Sequence, residues 1–383
     1  MPPLLQYCDA HVEELLDTIS ALVRLESPST DKAAVDRCGR ELADRLRTIG
    51  GDVELVRTGT RGDQVTARFG GDGRPVLLLG HIDTVWPVGT LEHMPLRRDG
   101  ARLYGPGTFD MKAGIGIAML AVEALRATAT PHPPLVMLWT TDEEIGSGTS
   151  RAIIEAQASG ASAVLVLEPA LPGGALKTAR KGCGEFELTV TGIAAHAGVD
   201  PGKGASAVLE LADQIAAVER LQDLDRGVSV NVGVISGGSR PNVVAAEAHA
   251  VIDVRAPTRP DADRIEAALH ALQPHRPGTR LKIRGGFERP PLERTAAVER
   301  LFSVARRVAS SIGHELHEGS TGGGSDGNFT AALGVPTLDG LGAIGDGAHA
   351  SHEHVDIAAL AWRAALVAGV VRELASADPS PAV

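Results

Sequence analysis

The sequence predicts an α/β protein in which a mostly parallel central sheet, covered on both faces by helices, is interrupted by a smaller inserted α+β domain. Three observations carry this expectation. Apolar runs of strand length alternate with helical patterns through the first 180 residues, strand patterns with one polar face replace them from about residue 181, and the first texture returns after Pro290-Pro291. Strands buried on both faces read as continuous apolar runs, whereas a strand with one wet face alternates. The expected division is therefore residues 1–180 with 292–383 as one domain and residues 181–291 as the insertion. A chain of 383 residues is long enough for two such domains.

The elements follow in order. His11 to Leu25 reads as an amphipathic helix with Val12, Leu15, Leu16, Ile19 and Leu22 on one stripe. A second helix, Ala33 to Ile49, is stopped by Gly50-Gly51. Strands are expected at Val53–Val56, Gln64–Phe69, Val76–Leu79, Leu135–Trp139 and Ala163–Leu167, with a helix from Met111 to Arg126 between the third and fourth. In the insertion, Glu185–Thr191, Val228–Ile235, Ala248–Val254 and Arg280–Arg284 are strand patterns, and Ser206–Val218 and Asp261–Leu272 are helical. That β-α-β-β-α-β order gives helices on one face of an antiparallel sheet. Helices Glu293–Ser311 and Ile357–Ala375 close the chain, and the tail SADPSPAV is expected to fray.

Composition narrows the function. The net charge is −11, no Lys/Arg run occurs, and only six Phe, three Trp and two Tyr are present. Nucleic acid is thereby disfavoured as a partner. No apolar stretch reaches the 18 or so residues of a membrane span. The N-terminal MPPLLQYCDAHVEELL has acidic residues and no long apolar leader, so a cytoplasmic location is expected. Cys8, Cys38 and Cys183 lie too far apart in sequence for a disulfide framework or a cysteine-type zinc knuckle.

Three segments carry chemistry, each expected at the carboxyl end of a strand, where open α/β sheets place their sites. In Gly80-His81-Ile82-Asp83-Thr84-Val85, His81 and Asp83 project to the same side of an extended chain, so the carboxylate can fix the tautomer of a metal-bound imidazole. A histidine merely satisfied in a turn is the plainer account. Asp110, in Gly105-Pro106-Gly107-Thr108-Phe109-Asp110-Met111-Lys112-Ala113-Gly114, stands where a helix begins and is either a ligand or an N-cap. Asp142, Glu143 and Glu144 follow an apolar strand; they are either a solvated turn or a carboxylate cluster that a cation offsets. Glu168, in Leu167-Glu168-Pro169, repeats the arrangement. His81, Asp110, Glu144 and Glu168 make a mixed N/O set suited to Zn²⁺, Co²⁺ or Mn²⁺, which His349 in Gly347-Ala348-His349-Ala350-Ser351-His352-Glu353-His354 can complete.

GHIDTV, GPGTFDMKAG, TTDEEIGS, LEP, GIAAHAG and GAHASHE occur in the order found in the M20 family of metallopeptidases and deacylases, and the sequence resembles that family over nearly its whole length. The resemblance is strongest to the glutamate carboxypeptidase branch. It implies a zinc-peptidase-like catalytic domain with a lid and dimerisation insert, and two divalent ions per subunit. Asp110 would bridge them; His81 and Glu168 would hold one, Glu144 and His349 the other. Glu143 would be the general acid/base, with Asp83 behind His81, and a cis peptide is implied at Asp110-Met111. His349 is preferred over His352 and His354 because it precedes Glu353 by four, as in the family pattern. His196 would reach the partner subunit's site in a homodimer and stabilise the oxyanion, while Asn242 and Arg255 would bind the substrate, Arg255 gripping its free α-carboxylate.

The glycine-rich Gly322–Gly327 segment could form an anion nest, but no Gly-Lys-Ser/Thr follows and a nucleotide reading is rejected. No cysteine stands where the cysteine-liganded amidohydrolase branch needs one. The leading expectation is a glutamate-type carboxypeptidase acting on small peptides. An N-acyl-amino-acid deacylase of the acetylornithine or succinyl-diaminopimelate type is the alternative, and a noncatalytic dimeric binding module is a third reading from a different class.

Overall fold

A computed structural model describes residues 2–375; the expected fraying of the SADPSPAV tail lies outside the described residues. The chain divides into two compact units. One comprises the residues up to Thr178, then Arg294–Ser320 and the residues from Ser325 onward; the other comprises Ala179–Glu293 with Thr321–Gly324.

The larger unit is built on a six-stranded sheet in the order Asp52–Val56, Gln64–Phe69, Leu135–Thr140, Val76–His81, Ala163–Val166, Thr337–Leu338. The last three pairings are parallel and the first two antiparallel. The sheet is therefore mixed, with a parallel centre, as the apolar runs indicate; such runs encode burial but not direction. Residues Leu78, Met137 and Leu165 face a core shared with helices Val12–Arg24, Ala113–Ala127, Ala296–Ser311 and Ile357–Ala375. Leu77, Leu79, Val136, Leu138 and Val166 face the opposite core, against Ile154, Ala158 and Phe329.

Two glycines permit close approaches near the strand ends. A Cβ on Gly80 would stand 2.4 Å from Met111 Cε, and one on Gly114 would stand 2.1 Å from the Leu167 carbonyl oxygen. The second contact is with rigid backbone and excludes any larger residue, so the helix beginning at Ala113 sits directly against the chain that follows strand 163–166.

A second, small antiparallel sheet was not legible in the sequence. Its order is Gly345–Asp346, His354–Asp356, Arg102–Tyr104, Arg97–Asp99. Strands of two or three residues carry no measurable periodicity. This sheet pairs His354 with Tyr104 and Val355 with Leu103, and so brings the loop from Gly347 to Glu353 beside the loop from Gly105 to Asp110. Helix Pro2–Ala10 was also missed; it buries Leu4 and Cys8.

The smaller unit is an antiparallel sheet ordered Ser229–Gly237, Glu247–Ala256, Gly182–Thr191, Arg280–Arg289. Its helices, Ala207–Glu219 and Arg259–His270, cover one face with Leu211, Val218, Ile265 and Leu269 against Phe186, Leu188, Val190, Ile252 and Val254. The burial of strand 182–191 alternates along its length, which is the one-wet-face pattern read from sequence.

Candidate metal and catalytic centre

His81 is the last residue of strand 76–81 and pairs with Thr140, the last residue of strand 135–140. Glu143 and Glu144 follow the second strand, and Glu168 stands two residues beyond strand 163–166. Three segments thus converge at the carboxyl ends of adjacent parallel strands. Asp110 corrects the expectation of a fourth strand end. It follows a strand of the small sheet and lies in a broken turn, Thr108–Lys112, where Asp110 (φ −112°, ψ 96°) and Met111 (φ −133°, ψ 34°) leave helical geometry. The Asp110-Met111 peptide is cis. Asp110 is no N-cap: Lys112 occupies that position, and no side chain caps the helix.

Asp110 stands between two imidazoles. His81 Nε2 lies 3.3 Å from Asp110 Oδ1 and 3.3 Å from Glu168 Oε1. His349 Nε2 lies 3.4 Å from Asp110 Oδ2 and 3.1 Å from Glu144 Oε2. Two donors on one tetrahedral ion at roughly 2.0–2.2 Å are separated by about 3.4 Å, so both clusters have the spacing such an ion imposes. His81 Nε2, Asp110 Oδ1 and Glu144 Oε1 are buried with no hydrogen-bond partner, a costly arrangement unless a cation takes their lone pairs. The donor set therefore fits divalent metal. Glu143 also offers a ligand atom within 4.8 Å of those of His81 and Glu168.

The electrostatics agree with a demand for positive charge. Burial disfavours protonation of His81, yet Asp110, Asp83 and Glu168 outweigh it and raise its pKa well above the usual imidazole value. Asp110 and Glu144 raise that of His349 to about 10. Burial would raise Asp110, but His349 and His81 hold its carboxyl far below the ordinary range. Glu144 is raised by burial against the pull of His349 and His81.

The supporting residues act largely through the main chain. Nδ1 of His81 meets the carbonyl oxygen of Asp83 at 3.0 Å, while the Asp83 carboxylate is 3.5 Å away. The tautomer is thus fixed by the Asp83 backbone more closely than by the expected side chain. The carboxylate accepts instead from Ser29 Oγ at 2.6 Å and from the amides of Glu143 and Glu144 at 3.3 Å each. Asp142 turns away from the cluster, accepting from Thr149 and Ser150. Asp326 accepts from Thr140 Oγ at 2.8 Å and from Ser147 Oγ, bracing the same turn from below. Of the three late histidines, His352 lies 3.9 Å from Asp346 and His354 packs on Tyr104; His349, at φ +60°, is the one that faces the carboxylates. Positive φ is uncommon for a residue other than glycine; here Ala129 and Ser147 share it with His349.

Half of the amides of the glycine-rich Gly322–Gly327 segment are taken up within the segment or beside it. The amide of Gly323 donates to Thr321 Oγ1, that of Ser325 to Asn328 Oδ1 and that of Gly327 to Ser325 Oγ, so these donors are already satisfied.

His196, Asn242 and Arg255 belong to the smaller unit. Exposed His196 accepts at Nδ1 from the amides of Gly198 and Val199, both at 3.1 Å, which places the proton on Nε2. The Asn242 carbonyl accepts from the Ala197 amide at 3.0 Å. Arg255 forks onto Asp253 through Nε at 2.9 Å and Nη2 at 2.6 Å, and Nη1 contacts Cys183 Sγ. Sequence reasoning missed Ser29, Asp326 and Glu353; the fully buried Glu353 was seen only as part of a motif.

The sequence model of peptidase family M20/M25/M40 matches residues 77–373. Carboxypeptidase G2 of Pseudomonas sp. is 29% identical over 369 residues, covering 94% of this chain and 89% of that protein. A succinyl-diaminopimelate desuccinylase of Xanthomonas oryzae pv. oryzae is 30% identical over 396 residues, covering 95% and 99%. In fold, the crystal structure of aminopeptidase PepT from Bacillus cereus superposes with a TM-score of 0.79 at 23% identity, covering 95% and 99% of the two chains. With the family model matching most of its length, this chain is an enzyme of peptidase family M20/M25/M40.

Proposed function

We propose that the protein is a two-metal amide hydrolase that cleaves next to a free carboxylate, as a glutamate-type carboxypeptidase. The observation that carries the two-metal part of this reading is Asp110 placed between two imidazoles, each with its own further carboxylate; the carboxypeptidase part rests on the likeness to carboxypeptidase G2. His81, Asp110 and Glu168 would hold one ion, and Asp110, Glu144 and His349 the other. Zinc suits this N/O set, as do cobalt and manganese. Bound there, the pair supplies Lewis-acid activation of water and of the scissile carbonyl.

Glu143 takes the proton of the attacking water and delivers it to the departing amine, the transfer an amide needs before its C–N bond can break. Asp83 prepares that role, because its carboxylate holds the Glu143 and Glu144 amides and fixes the turn from which the two side chains diverge. His196, with its proton on Nε2, is a ready donor to an oxyanion, and in a homodimer it would make that contact in the partner subunit's site. Arg255 and Asn242 bind the substrate, and the Arg255 guanidinium grips its carboxylate. The guanidinium meets it by Nη1 or by exchanging Asp253 for it.

The deacylase reading has its own support in the desuccinylase relative. A panel of C-terminal glutamyl peptides and N-acetyl and N-succinyl amino acids separates the two. Glutamyl peptides are expected to be the best substrates, and preferred turnover of N-succinyl or N-acetyl amino acids would replace the carboxypeptidase reading with the deacylase one. Arg255→Ala should lower kcat/KM at least about tenfold on acids, about 1.4 kcal/mol, and much less on the matching amides. Equal losses on both would remove Arg255 from substrate binding.

A further inference from the structure

Glu353 lies outside every role assigned above, yet its carboxylate has the most complete set of partners near the centre. The side chain is fully buried. Oε1 accepts from the amides of Phe109 at 2.9 Å and Asp110 at 3.0 Å; Oε2 accepts from the Gly107 amide at 2.8 Å and from Trp86 Nε1 at 2.8 Å. All four partners are donors, so the residue is bound as a carboxylate. Its own backbone joins the two loops a second time, since the Gly105 amide donates to the Glu353 carbonyl at 3.2 Å.

This places one buried anion between two ligand-bearing loops. His349 is four residues earlier in the loop from Gly347 to Glu353, and Asp110 is one of the residues whose amide the carboxylate holds. The small sheet aligns these loops through only three residue pairs, from His354–Tyr104 to Asp356–Arg102, and leaves both ligands beyond its ends. A carboxylate accepting three consecutive-loop amides fixes their direction, and with it the Cα of Asp110 relative to His349.

We propose that Glu353 is a positioning residue that sets the separation of Asp110 and His349, and thereby the affinity of the centre for both of its ions. The proposal rests on the two-metal reading of the site. Glu353→Gln keeps the shape but must turn an NH₂ group toward either the Phe109/Asp110 amides or the Gly107/Trp86 donors. Glu353→Asp keeps the charge and withdraws it from the loop.

Each protein is stripped of metal and titrated with Co²⁺ or Zn²⁺ at a temperature where circular dichroism shows it fully folded. The wild type should bind two equivalents. Folded Glu353→Gln should bind both at least tenfold more weakly, with an altered Co²⁺ absorption spectrum. At saturating metal its kcat should fall while KM stays near the wild-type value. Glu210→Gln, a change to a buried carboxylate of the smaller unit that also accepts backbone amides, should leave metal affinity unchanged. Wild-type affinity at both positions in a folded Glu353 variant overturns the proposal while the two-metal reading stands. A wild type that binds no metal overturns that reading itself. If Glu353→Gln does not fold, Glu353→Asp is judged by the same criteria. Failure of both to fold overturns the positioning role in favour of a purely structural one.

Discussion

Glu143 and Glu144 are neighbours in the chain whose amides are held by one carboxylate, and they are expected to behave oppositely when removed. Glu144 Oε2 is 3.1 Å from His349, so Glu144→Ala should lose a metal equivalent along with activity. Glu143→Ala should abolish turnover and keep two equivalents, as elemental analysis of the purified variants can read. Because Glu143 also stands within ligand reach of His81 and Glu168, loss of metal from Glu143→Ala would show that base and ligand are exchanged. The ligand candidates were legible because metal binding restricts residue type: only a few side chains can serve at a strand end, and each one leaves a letter in the sequence. Ser29, Asp326 and Glu353 were not legible, because they help to build the site by accepting from, or donating to, groups that the motifs do not specify. An amide N–H is present at every residue except proline, so nothing in the sequence marks which amides a buried carboxylate will hold.

At the scale of elements, most long helices and buried strands were read close to their true bounds, since their periodicity spans several turns or pleats. Helix Arg151–Gly160 and strand Leu176–Arg180 were missed, however, and strand Arg280–Arg289 was read to only half its length. The antiparallel direction of the first two strands and the small sheet were not read, because neither leaves such a signal. Local chemistry of the same hidden kind closes the smaller unit. Glu210, buried in helix 207–219, accepts from Gln214, from the amides of His275 and Arg276 and from Thr279 Oγ1. Burial alone would raise its carboxyl, but these donors outweigh it and hold the pKa below the usual value. A depressed carboxyl stabilises the fold fully above its unfolded value, about 4.3, and loses that contribution as pH falls below it. Glu210→Gln should therefore cost roughly 1–3 kcal/mol at pH 7.5, the scale for buried donors left without an acceptor. The gap in Tm between wild type and variant should shrink below about pH 4.3. A gap that does not shrink at any pH below about 4.3 at which both proteins still fold would show that the charge on Glu210 contributes nothing.

At the scale of the whole molecule, the unsatisfied feature is an edge. Strand 229–237 pairs on one side only, with strand 247–256, and carries Val234 at 59% and Ile235 at 64% exposure. Val208 and Leu209 on helix 207–219 are exposed as well. A long apolar edge of this kind is a template for pairing and is ordinarily covered. In the proposed homodimer, in which His196 would serve its partner's centre, a second copy would cover this edge by adding the matching strand through two-fold symmetry. The test uses two inactive proteins. Glu143→Ala retains His196, and His196→Ala retains Glu143, so a hybrid dimer contains one site with both groups and one with neither. Mixing the variants under conditions that exchange subunits, with hybrids verified by differential tagging, should restore up to about half the native rate per hybrid dimer if the two sites act independently. Restoration can arise only if the two groups act across subunits, because no single chain in the mixture contains both. Hybrids that form and remain inactive would show that His196 does not act in its partner's site.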